Sequence, residues 1–186
     1  MTNTLNGKWV FDSNLIIYGL DKTSRFYEPV FQLFVLAKDK KIQIILAQQN
    51  LSETVQVFVR GYKLPPFEVI EHLNGLINDL EIIVISPQTK THQHFFDLIS
   101  KVEKPIDIFD YYLAATMLDN NISQILTAND KDFTKISGIK AVNPFWAKLD
   151  FFSPAVNQFL GSFREAQRDA GNFSGEIEKS DHFVNF

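Results

Sequence analysis

Short apolar runs alternating with stretches of helical periodicity constrain this chain more than any other feature. KWVFDSNLIIY (8–18) is apolar apart from an interruption at Asp12, IQIILA fills 42–47, EIIVIS fills 81–86 and QILTAND fills 124–130. Between them, Phe26, Val30, Leu33, Phe34 and Ala37 recur at helical spacing, and further helices are expected from Asn50 and over 90–103. Another runs from about Phe67 to Leu80, after the break at Pro65-Pro66. Pro105 resets the chain, IDIFDYYLAAT (106–116) begins the next helix, and IKAVNPF (139–145) supplies a short edge strand. Strands apolar on both faces and joined by helices read as a parallel sheet. The expected fold class is therefore α/β, with three α/β/α layers around a central parallel sheet of four or five strands. In such sheets ligands gather at the carboxyl ends of the strands. Acids placed just after a strand, or at the head of the following helix, are where chemistry is expected.

A length of 186 residues suits one core of ordinary size, and 45% hydrophobic with 22% charged residues is the balance of a globular protein. The expected organisation is a domain over 1–145 and a C-terminal extension over 146–186. From Arg164 that extension turns polar and Gly-containing, and it reads as partly disordered or partner-dependent. The chain has no cysteine, which removes disulfides, thiol catalysis and thiolate metal sites, so any metal must be held by oxygen or imidazole. The N-terminus lacks a basic segment followed by a long apolar run, and no stretch reaches the roughly 18 apolar residues of a membrane span. A cytoplasmic location is expected. The net charge of −4 lacks the basic footprint of a nucleic-acid binder, but an acid cluster serving a metal lowers net charge by itself.

Each prominent acid has an ordinary reading. Asp107 and Asp110 could cap the helix that follows Pro105, Asn50 and Glu53 have the spacing of a capping box, and Asp12, Asp130 and Asp132 could be turn residues. All of them, however, fall at the ends of expected strands or the starts of helices, positions that converge in one parallel sheet. A convergent acid cluster repels itself unless a cation neutralises it, and all-oxygen ligation selects Mg²⁺ or Mn²⁺. Such an ion suits hydrolysis of a phosphodiester, because it activates water and neutralises phosphate. Other chemistries find no support, since GxxxxGK[ST], GxGxxG and HExxH are all missing. His92 and His94 stand two apart, which one helix face cannot present together, and Pro87-Gln88 after the third strand opposes a phosphoacceptor receiver fold.

VFDSNLII, LSET, DYYLAAT and ILTANDKDF occur in the order and approximate spacing of the PIN domain, and the chain resembles its VapC-like branch over about 8–145. The resemblance implies an Mg²⁺- or Mn²⁺-dependent endoribonuclease acting on RNA, commonly the toxin of a toxin–antitoxin pair. It leaves room for an antitoxin partner and a homodimer. Carried over by position, the first acid is Asp12 with Asn14 as polar support, the second is Glu53, and the third is Asp110, with Asp107 left as the cap. The fourth aligns with Asn129, Asp130 or Asp132, with Asp130 placed first as the direct ligand and Thr127 orienting the turn. A PIN-fold binding or scaffold protein whose acids no longer turn over is the competing expectation. An acidic pI of about 5.5 and an aromatic-rich tail favour that alternative.

Overall fold

In the computed structural model, which describes residues 5–102, 106–147, 149–150 and 152–169, five strands form one sheet. β1 (Gly7–Phe11) lies at its centre, flanked by β2 (Ile42–Ala47) and β4 (Gln124–Leu126), with β3 (Ile83–Ile85) and β5 (Lys140–Val142) at the edges. The order is β3-β2-β1-β4-β5 and every pairing is parallel. The sheet therefore reverses its direction of growth between β1 and β4, which is where an α/β sheet opens a crevice for ligands.

Alternation along the central strands builds two cores from one sheet. Trp9, Phe11, Ile44 and Leu46 face one layer, while Val10, Ile45 and Ala47 face the other. The first layer comprises α1 (Ser13–Leu20), α2 (Tyr27–Lys38), α3 (Gln48–Gln56) and α4 (Pro66–Asp79), and the second comprises α5 (Thr91–Ile99), α6 (Ile108–Asp119) and α7 (Asp130–Phe133). With buried apolar residues on both faces, such strands must be covered on both sides. A π-helical turn at Val57–Gly61 extends α3.

Three local departures from the expected elements have physical causes. α3 begins at Gln48, directly after β2, because Asn50 Oδ1 reaches back to accept from the Ala47 N–H at 3.1 Å. Asn50 thus caps from within the helix, and Glu53 is left in the second turn, outside any capping box. β4 ends at Leu126, since Thr127 to Asn129 turn away into α7. β3 covers only three residues of EIIVIS, with Glu81 entering it at φ 50°.

The chain beyond residue 145 continues into the first core. Leu149, Phe152, Val156 and Leu160 are buried there, the last two on α8 (Pro154–Asp169). Arg164 donates to the carbonyls of Phe145 (2.7 Å) and Ala147 (2.9 Å), and Ser153 exchanges hydrogen bonds with Gln32 of α2. The remainder of the proposed extension, 170–186, lies outside the described residues, as does Pro105. Among the described residues no helix is long and apolar enough to cross a membrane.

Candidate functional site

Asp12 occupies the crevice between β1 and β4. It leaves β1 in extended conformation and caps α1, with Oδ1 accepting from the Ser13 N–H at 2.7 Å. Its other oxygen, Oδ2, accepts from Thr127 Oγ1 at 2.6 Å and from Asn14 Nδ2 at 2.7 Å. Capping and site membership are thus shared between two oxygens of one carboxylate. Burial raises the Asp12 pKa, the Thr127 hydrogen bond opposes that rise, and the charge of Glu53 adds to it. Thr127 is itself fully buried and accepts from the Asn129 N–H, while Asn14 Oδ1 accepts from the Ala128 N–H. Asn14 and Thr127 therefore hold Asp12 against the turn after β4.

Glu53 reaches the same place from α3. Ser13 Oγ donates to Glu53 Oε2 at 2.8 Å and lies 3.4 Å from Asp12 Oδ1, so one hydroxyl spans two acids 41 positions apart in the chain. Gln49, one turn earlier on α3, donates to Glu53 Oε1 at 2.8 Å and to the Phe109 carbonyl at 3.1 Å.

Asp110 sits in the first turn of α6, behind the Asp107 cap, which accepts from the Phe109 N–H at 2.9 Å. Burial, and then the charges of Asp12, Asp107, Asp132 and Glu53, push its pKa up to about 7. Four other acids are thus felt at one carboxyl. A cavity of about 240 Å³ opens beside it, lined by Ile106, Asp107, Asp110, Tyr111, Asp132 and Lys135. A larger hollow of about 320 Å³, lined by Lys8, Lys38, Lys40 and Lys41 among others, lies around the amino ends of β1 and β2, away from the acids.

The turn after β4 separates its two aspartates. Asp132 lines the cavity, accepting from Lys135 Nζ at 2.9 Å and Asn129 Nδ2 at 2.7 Å, and these bonds, the Lys135 one foremost, lower its pKa. Asp130 opens α7, where its carbonyl accepts from the Thr134 N–H, and it is not among the residues lining the cavity. Among the described residues, no three Asp, Glu or His side chains stand close enough together to hold a metal ion.

Ser13, Gln49, Tyr111 and Lys135 escaped sequence reasoning. Ser13 follows Asp12, Gln49 precedes Glu53 by one turn and Lys135 follows Asp132 by three, so adjacency was their only signal. The histidines part company as expected. His94 Nδ1 lies 2.6 Å from Asp119 Oδ1, whereas the His92 ring packs edge-on to Phe96.

No protein-family model matches the chain, and no curated protein matches it. Solved structures do. A chain in the crystal structure of VapBC2 from Rickettsia felis bound to a DNA fragment from their promoter superposes with a TM-score of 0.56 at 22% identity, covering 73% of this chain and 98% of that one. DNA-bound VapBC from Salmonella typhimurium gives 0.56 at 18% identity over 77% and 99%. A toxin-antitoxin complex from Klebsiella pneumoniae gives 0.52 at 17% over 73% and 97%. The fold is accordingly that of a VapC-like PIN domain, with a five-stranded parallel sheet between helical layers.

Proposed function

We propose that this VapC-like PIN fold is a metal-dependent endoribonuclease, with Asp12, Glu53, Asp110 and Asp132 holding Mg²⁺ or Mn²⁺ and RNA as its substrate. The observation that carries the reading is the approach of acids from the end of β1 and from α3, α6 and α7: Ser13 joins Asp12 to Glu53, and burial followed by the charges of Asp12, Asp107, Asp132 and Glu53 raises the Asp110 pKa to about 7. Lys135 pairs with Asp132, but acids outnumber it in the cluster, and the donor set is all oxygen, which fits a hard divalent cation. When bound, that cation supplies an activated water and neutralises phosphate charge.

The chain's own residues do the rest. Thr127 and Asn14 fix Asp12 Oδ2, and Ser13 fixes Glu53 relative to Asp12. Asp110 gives up its proton as the cation binds. Lys135, exposed at the cavity beside Asp132, offers an ammonium group to a substrate phosphate. Asp132 rather than Asp130 is the fourth acid in this proposal, because it lines the cavity and acts on Asp110.

Similarity to chains from VapBC and toxin-antitoxin complexes supports an antitoxin as protein partner, with this chain as the toxin. The test is cleavage of single-stranded RNA by the full chain with millimolar Mg²⁺ or Mn²⁺, with EDTA, and by Asp12→Asn. Cleavage that needs metal and disappears in Asp12→Asn is the expected result; no metal-dependent cleavage together with no calorimetric metal binding overturns the proposal. The lack of three grouped ligating side chains among the described residues favours a second reading, a PIN-fold binding or scaffold protein that does not turn over. That same pair of measurements decides between them.

A further inference from the structure

Gln49 stands one helical turn before Glu53, and the two protons of its amide are both committed. One goes to Glu53 Oε1 at 2.8 Å and the other to the carbonyl of Phe109 at 3.1 Å. Phe109 directly precedes Asp110 in the first turn of α6. A single side chain therefore ties the second acid to the helix bearing the third, between residues 60 positions apart.

The chemistry of the two partners explains why an amide is there. Both are acceptors, so the group between them must donate twice. A carboxylate has no proton to give at neutral pH, and an ammonium or guanidinium would bring a positive charge into competition with a cation for Glu53. A neutral amide joins acceptor to acceptor and leaves the charge of the cluster unchanged. This duty fixes the orientation of the amide, whose Oε1 is left buried without a hydrogen-bond partner. An unmet acceptor is tolerated only where the opposite end of the group is well used.

We propose that Gln49 is a positioning residue that sets the separation of Glu53 from Asp110 and thereby the affinity of the site for a divalent cation. This rests on the metal-dependent reading above. The bond resembles the outer hydrogen bonds that orient ligands in metal sites, which typically contribute on the order of 10–100-fold in metal affinity or activity.

The experiment uses the full chain and two variants: Gln49→Met, of similar length but without donors, and Gln49→Ser, which is polar but too short to reach. Mn²⁺ binding is measured by calorimetry, the thermal midpoint is taken without metal, and cleavage of single-stranded RNA is followed across a Mn²⁺ titration. The expected result is a midpoint close to the parent's and Mn²⁺ affinity weakened by about 10-fold or more. The half-saturating Mn²⁺ concentration for cleavage rises by the same factor, while the rate at saturating Mn²⁺ recovers. Should Gln49→Met fail to fold, Gln49→Ser carries the comparison. Parent-like affinity in the variants overturns the proposal, and a lowered midpoint with parent-like affinity does so as well, since it marks a purely structural bond. If the parent itself neither binds Mn²⁺ nor cleaves, the metal-dependent reading has failed and the proposal falls with it.

Discussion

Asp110 carries a carboxyl that ordinarily titrates at 3.8 and here is pushed up to about 7, first by burial and then by Asp12, Asp107, Asp132 and Glu53. Between those values the folded chain holds a proton that the unfolded chain has released, so stability falls as pH rises from about 4 to 7. The thermal midpoint of the metal-free protein should accordingly decline from pH 5 to pH 8. Asp110→Asn, which cannot ionise, should flatten that decline and raise the midpoint at pH 8 while abolishing RNA cleavage; a slope equal to the parent's rejects the account of Asp110. A cation competing with the same proton should bind more tightly as pH rises through about 7, which calorimetry at pH 6 and 8 measures. The turn after β4 supplies a sharper residue-level contrast. Sequence placed Asp130 first as the direct ligand, whereas Asp132 is the one that shares the cavity with Asp110. Asp132→Asn should therefore cost more activity than Asp130→Asn at saturating metal, and the reverse order restores Asp130.

At the scale of elements, α1 and α2 approach so closely at Gly19 that an added Cβ would fall inside contact distance of the Phe34 ring and 2.8 Å from Val30 Cγ1. Gly19→Ala should lower stability by about 1–3 kcal/mol, the usual range for overpacking, as read by urea denaturation. α8 belongs to the same core. Leu160 is wholly buried in it, and Leu160→Ala should cost about 2–5 kcal/mol, whereas an effect near zero would make α8 a detachable appendage. Sequence legibility at this scale followed the signals available. IQIILA matched β2 residue for residue because six apolar-rich positions sit between a lysine-rich end and a run of polar residues. The start of α3 was missed because Ala47 has no capping side chain, and the cap arrives from Asn50 inside the helix. The packing of α8 was missed because its buried positions, Val156 and Leu160, are sparse among polar residues.

For the molecule as a whole, a cation that binds only the folded state should raise the thermal midpoint with the logarithm of its excess over the dissociation constant. Mn²⁺ titrated from micromolar to millimolar should move the parent's midpoint steadily upward and that of Asp12→Asn far less; equal shifts in both locate the metal elsewhere. The α/β class, the parallel sheet and the covered faces of its strands were all legible in the chain, because they depend on local periodicity, a property of neighbouring residues. Asp12, Glu53 and Asp110 were singled out by resemblance and by their places at strand ends or helix heads. Tertiary structure alone decided the strand order, with β4 returned beside β1 so that Thr127 Oγ1 meets Asp12. It also decided the bridges from Ser13 to Glu53 and from Gln49 to Phe109, and the facing of Asp132 rather than Asp130 toward Asp110. These are contacts between residues distant in sequence, or choices between side chains two positions apart. Neither leaves a periodic trace, because their geometry exists only once the sheet has closed and both helical layers have packed against it.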